Sequence, residues 1–179
     1  MKNNSVPTII SVLIATGLVF SVTARAQGVS AEDKAFIKKA AAGGLAEVKL
    51  SELADTRASD QKVKDFAKQM VTDHTKANDE LKPIAEAAKV PVPTELQGEH
   101  EAAYKRLEKL SGEKFDAAYV KIMVSDHDKT VALFEDASSK GKDPTLKGFI
   151  DKTLPVLREH KEHIHAIAKG MGPAEGKAA

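Results

Sequence analysis

The sequence predicts an all-α protein: a four-helix bundle with one long crossover that contains a short extra helix. Three observations carry that prediction. Apolar residues recur at three-and-four spacing over four long stretches, which gives each a single buried helical face. Ala, Leu, Lys and Glu are abundant, aromatic residues make up 4% and tryptophan is absent, a composition suited to helices. A proline-marked connection in the middle of the chain is long enough to return it to the end from which it came.

Residues 1–26 stand apart from this pattern. Lys2 supplies a positive start, Thr8 to Val22 is an apolar run, and Ala24-Arg25-Ala26 is a small-x-small cleavage signal. This reads as a secretory signal peptide cut after Ala26. The apolar run is shorter than the roughly 20 residues of a membrane span, and no later stretch is apolar enough to cross a bilayer. The expectation is a periplasmic or extracellular protein, with a bundle over 27–170 and a disordered tail over 171–179.

Removing Lys2 and Arg25 from the 27 basic residues leaves 25 against 26 acidic ones, a net charge of −1. No basic patch dominates, so nucleic acid is not an expected partner. There is no cysteine, hence no disulfide and no thiolate nucleophile. Stability must come from packing, metal or self-association. A homo-oligomer and an envelope protein partner both stay open.

Helix A is expected from Glu32 to about Arg57, burying Phe36, Ala40, Gly43, Glu47, Leu50 and Ala54. Gly43-Gly44 costs roughly 1 kcal/mol per glycine and marks close approach of another helix. Glu47 puts a carboxylate on the buried side, where an unpaired charge is costly. Helix B starts after Ser59 or Asp60, a natural N-cap pair, and runs to about Ala88. Its stripe is Val63, Phe66, Met70, His74, Ala77, Leu81 and Ala85, and Pro83 should kink its last part. Lys89 to Thr94, with two prolines, is extended. The short crossover helix is placed at Glu95 to about Leu110, closed by Ser111-Gly112. Helix C covers about Glu113 to Ser138, with Phe115, Val120, Met123, Val124, His127, Val131 and Phe134 inside. Asp143 caps helix D, Pro144 is its first residue, and it extends to about Lys169. It buries Ile150, Leu154, Leu157, His160, Ile164 and Ala168. The linker and short helix between B and C can span a ~40 Å bundle, so B and C should run parallel.

One phrase occurs twice: Met70-Val-Thr-Asp-His74 and Met123-Val-Ser-Asp-His127, at an offset of fifty-three. The offset also pairs Phe66 with Tyr119, Lys68 with Lys121 and Lys76 with Lys129. Each histidine is about fourteen residues into its helix, so parallel helices hold the two level. Counting through the turns brings Glu47 within ~4–5 Å of the height of His74, and His160 within ~7 Å of that of His127. One carboxylate and three imidazoles from four helices suit a divalent Fe, Mn or Zn ion. Asp73, Asp126 and Glu159 each precede a histidine and are candidates to orient a neighbour's imidazole. Met70 and Met123 offer sulfur one turn away, a weaker case for Cu(I). The alternative is three neutral core histidines bonded to Glu47 and backbone carbonyls. Glu162-x-x-His165 has the spacing of a helical ligand pair but falls on the polar face of helix D. His163 lies beyond the stripe, and His100 is expected at the surface. There is no nucleophile triad, phosphate loop or dinucleotide fingerprint.

Several of these segments together resemble one bacterial family of unknown function. They are Phe36 through Gly44-Leu-Ala-Glu47, Phe66-Ala-x-x-Met70-Val-x-Asp-His74-x-x-x-Asn78-x-x-Leu81, Ser111-Gly-x-x-Phe115-Asp-x-x-Tyr119, Asp126-His127 and Leu154-Pro-x-Leu157-x-x-His160. That family belongs to the ferritin-like superfamily, and its members are exported and often labelled membrane or outer-membrane proteins. The resemblance implies a ferritin-like four-helix fold without an established activity. The chain departs from iron-oxidising ferritin-like proteins, because neither His74 nor His127 has a glutamate three residues before it. Oxidase chemistry at a two-iron centre is therefore a weak expectation, and iron-mineral storage a weaker one. The leading expectation is an exported bundle holding one metal ion through His74, His127, His160 and Glu47, in envelope metal handling or stress protection. The rival is a metal-free structural or interaction module of the envelope.

Overall fold

The computed structural model describes residues 29–171, which form five helices. The expected signal segment lies outside the described residues, as does the tail beyond Met171. The helices are α1 (Ala31–Arg57), α2 (Gln61–Ala87), α3 (Gly98–Leu107), α4 (Gly112–Lys140) and α5 (Pro144–Met171). The fold is an all-α, ferritin-like bundle in which α1, α2, α4 and α5 are the long members and α3 belongs to the crossover. Among the described residues, no helix is long and apolar enough to cross a membrane.

Local chemistry sets the helix ends. The Ser30 hydroxyl accepts from the Asp33 amide at 3.0 Å, and Asp60 accepts from Lys62 at 2.7 Å. Asp143 accepts from the Leu146 amide at 2.9 Å with Pro144 at the first helical position, as the sequence predicts. Each bond satisfies one of the amides that a helix start leaves unpaired. Helices α2 and α5 continue through Pro83 and Pro155. The crossover helix is shorter than expected at both ends. Gln97 is extended and Gly98 takes a φ of 58°, while Glu108–Leu110 form turns. Conversely, α5 absorbs Gly170 and Met171, because the Met171 side chain packs on the apolar core.

The parallel arrangement of α2 and α4 is fixed by a buried carboxylate at their common end. Asp116, in the first turns of α4, accepts from the backbone amides of Ser59 and Asp60 and from the Ser59 hydroxyl. Beside it, Ser51 and Tyr119 share a hydrogen bond of 2.7 Å between α1 and α4. Around the bundle the order is α1, α2, α5, α4, so α2 and α4 face each other diagonally.

Each long helix touches two others, and its buried face is wider than a single three-and-four stripe. Ile37, Ala41, Ser51, Asp116 and Tyr119 are buried in addition to the expected residues, whereas Ala40, Gly43, Ala77, Val124 and Ala168 are half-buried. Gly44 is the point of close approach. A Cβ there would sit 2.1 Å from the Asn78 Oδ1 of α2, whereas one at Gly43 would meet nothing within 4 Å.

The apolar core is divided in two. One part gathers Leu50, Val63, Phe66, Met70, Phe115, Tyr119, Met123 and Ile164; the other gathers Phe36, Ile37, Leu81, Phe134, Phe149, Ile150 and Leu157. Met70 and Met123 are both fully buried in the first part and serve as core. Between the two parts lies a polar layer.

Candidate metal centre

That layer consists of Glu47 from α1, His74 from α2, His127 from α4 and His160 from α5, all 6% exposed or less. The three imidazoles form a nearly equilateral triangle, with ring centroids 5.9, 5.5 and 5.7 Å apart. One ring nitrogen from each lies within 4.8 Å of the others. A tetrahedral ion with bonds of ~2.1 Å needs nitrogens ~3.4 Å apart, so small side-chain rotations would close the triangle onto it.

Hydrogen bonds decide which nitrogens are free. His127 Nδ1 is 2.9 Å from the Met123 carbonyl oxygen, an acceptor, so Nδ1 carries the hydrogen and Nε2 keeps its lone pair. His160 Nε2 donates to Asp73 Oδ2 at 2.8 Å, leaving Nδ1 as the lone-pair atom. His74 Nε2, His127 Nε2, His160 Nδ1 and Glu47 Oε2 are buried without a partner. Only Asp33 Oδ2 shares that condition among the described residues. Buried polar atoms are normally paired, and an orphan costs about 1–3 kcal/mol. Four orphans in one layer form a concentrated liability, and an ion at the triangle would relieve the three nitrogens.

Electrostatics keep the imidazoles neutral. Burial pulls His74 well below the ordinary histidine range, with His127 and His160 adding to the effect. Burial also takes His127 down to about 4, against an opposing contribution from its bond to Met123. His160 is lowered by burial, with Asp73 opposing. A neutral imidazole is the form that binds metal. The Asp73–His160 pair has the form of the carboxylate–histidine contacts that orient metal ligands.

The remaining residues fall in different places. Glu47 is buried beside the triangle but does not join its cluster of nitrogens: Oε1 is 3.7 Å from His127 Nδ1, the nitrogen already donated to Met123. Burial, with Asp126 nearby, pushes its carboxyl well above the usual carboxylate range. Asp126 faces Lys129 rather than an imidazole of the triangle, and Glu159 is exposed. His165 is on the surface with Asp128 at 3.0 Å, and His163 Nδ1 is 3.3 Å from Gln69 Oε1. His100 is at the surface, half-buried where it lines a cleft.

Two clefts reach the polar layer from opposite flanks. One, of about 110 Å³ between α2 and α5, ends on His74, His160 and Asp73. The other, of about 400 Å³ among α1, α3 and α4, ends on Glu47 and Asp126. The buried Asp116 and the Ser51–Tyr119 pair are structural polar groups that the apolar periodicity passes over. The signal for Tyr119 was present, since it takes the repeat position of Phe66 and adds a hydroxyl that needs a partner.

Solved structures share this architecture at low identity. A DUF305 fragment from Deinococcus radiodurans matches with a TM-score of 0.70 and 12% identity, covering 80% of this chain and 99% of the other. A candidate secreted protein of the DUF305 family from Streptomyces coelicolor matches at 0.68 and 15%, covering 83% and 97%. CopM in its Cu(I)-bound form matches at 0.65 and 15%, covering 78% and 97%. At these identities the likeness establishes the fold alone. No functionally curated protein matches the chain. With the bundle and its polar layer goes a family model for a domain of unknown function that matches residues 20–167; the chain belongs to the DUF4142 family.

Proposed function

We infer that this protein binds one transition-metal ion through His74, His127 and His160 and handles metal in the cell envelope. The observation that supports it is the convergence of three neutral imidazoles from three helices, each with one unpartnered nitrogen in a buried layer. Three protein nitrogens leave a fourth position for water or a small ligand. The α2–α5 cleft, which ends on His74 and His160, supplies the approach to it. In this reading Asp73 orients His160, and the Met123 carbonyl orients His127. An all-imidazole set suits zinc or copper better than manganese, which favours carboxylate oxygen. The Cu(I)-bound state of the structural neighbour CopM adds weight to copper. The apolar N-terminal run, its Ala24-Arg25-Ala26 motif and the candidate secreted neighbour support export.

The test is metal analysis of the protein isolated from periplasm beside a His74→Ala/His127→Ala variant. About one equivalent in the native chain and a loss in the variant is expected. Equal, substoichiometric metal in both would favour a metal-free envelope module instead.

A further inference from the structure

The two halves of the repeated phrase sit on diagonally opposed helices, and the fifty-three-residue offset maps one cleft onto the other. Asp73, Lys76, Ala77 and Glu80 line the α2–α5 cleft, and Asp126, Lys129, Thr130 and Leu133 line the α1–α3–α4 cleft. The partner helices exchange in the same way, so Glu47 on α1 holds the place that His160 holds on α5. On the first flank the aspartate meets an imidazole, which donates a hydrogen bond to it. On the second the aspartate shares its cleft with another carboxylate, that of Glu47. Two carboxylates in one cleft repel each other unless a proton or a cation lies between them.

Three features of the second flank favour a cation. Glu47 is 4% exposed, and its Oε2 has no partner although the residue lines the cleft. Lys129 holds its ammonium at the rim, 3.9 Å from Asp126 and 3.8 Å from Glu99, while Lys39 and His100 also line the cleft. Gly43 lines the same cleft one turn before Glu47, and its absent side chain leaves open space where a Cβ would meet nothing within 4 Å. A mid-helix glycine that no neighbouring helix requires is costly by roughly 1 kcal/mol. Its effect here is to keep the way to Glu47 clear.

We propose that the cleft among α1, α3 and α4 is a second cation site, in which Glu47 and Asp126 hold a hard divalent ion independently of the imidazole triangle. Oxygen ligands in small number, completed by water, are how Mg²⁺-like and Mn²⁺-like ions are held, whereas the nitrogen triangle selects borderline metals. Glu99 and His100 stand at the mouth, and Lys129 is the group that the ion displaces. The two sites are separable because they draw on different residues and different ligand chemistry.

The experiment is Mn²⁺ binding to the full chain, followed by the loss of the free-ion electron paramagnetic resonance signal. Circular dichroism checks the fold of each variant. Glu47→Gln and Asp126→Asn should each weaken Mn²⁺ binding by at least about tenfold, since each removes a charged ligand. His160→Gln should leave it within about twofold. Lys129→Met changes only a mostly exposed side chain and should tighten binding, which tests the site even if a buried variant unfolds. Mn²⁺ binding that His160→Gln abolishes and Glu47→Gln preserves would overturn the proposal. So would the absence of Mn²⁺ binding to the native chain, or no tightening in Lys129→Met.

Discussion

The two flanks of the polar layer start from the same phrase and end in different chemistry. On α2, the aspartate before the histidine bonds an imidazole, and the pair is complete except for one lone pair aimed at its neighbours. On α4, the aspartate before the histidine shares a cleft with Glu47, whose Oε2 stays unpartnered. The two clefts correspond through the repeat; one exchanged residue, histidine for glutamate, gives one flank an imidazole nitrogen and the other a carboxylate oxygen. Local sequence identity therefore fixes position here, and the partner helix fixes the chemical groups on each flank.

The largest expected contrast is in affinity for the ion of the nitrogen triangle. Asp73→Ala removes the orienting bond to His160 and should weaken Zn²⁺ or Cu⁺ binding about 10–100-fold. Asp126→Ala, its repeat counterpart, should change it by less than about twofold. Competitive titration against a chromophoric chelator measures both. Equal losses would mean that the flanks are not functionally distinct.

A smaller contrast lies in the pH dependence of the metal-free chain. The three imidazoles have folded pKa values below the ordinary histidine value, so the unfolded chain takes up protons first as pH falls. Their contribution is full above about 6.5 and is lost on descent towards about 4, where His127 titrates. Glu47 runs the other way. Its raised carboxyl holds a proton that the unfolded chain releases above about 4.5, so stability falls as pH climbs through the folded value. His127→Leu should therefore be the more stable variant at pH 5, by ~1–2 kcal/mol, and Glu47→Gln should flatten the alkaline limb. Urea unfolding across pH reads both. A loss of stability in His127→Leu at pH 5 would show that its imidazole is a satisfied core residue.

Two adjacent glycines supply the smallest effect. Gly43→Ala has room and should stabilise by up to ~1 kcal/mol through helix propensity. Gly44→Ala must turn Asn78 aside and should show no such gain. Midpoints of urea unfolding separate them; an equal gain at both would remove the close approach of α1 and α2.

Much of this was legible from spacing. Periodicity placed the four long helices, Asp143-Pro144 marked the start of α5, and the level heights of His74 and His127 followed from parallel helices. The meeting of His160 with them survived errors of a few residues because a helical turn is only ~5.4 Å tall. What periodicity cannot encode is rotation about the helix axis. The expectation put Glu47 among the ligands on height alone; it is buried beside His127 but outside the cluster of three nitrogens. Asp116 was invisible for a related reason: a buried carboxylate that satisfies another helix's amides looks, in sequence, like any solvated aspartate. The cleft that His100 lines at the surface depends on how the crossover packs, which periodicity does not encode.

The most direct measurement is anomalous diffraction from crystals of the native chain grown with Zn²⁺. A peak ~2.0–2.2 Å from one nitrogen each of His74, His127 and His160 is the predicted result. A peak only at the exposed His165–Asp128 pair, with the three imidazoles left as they stand, would contradict it.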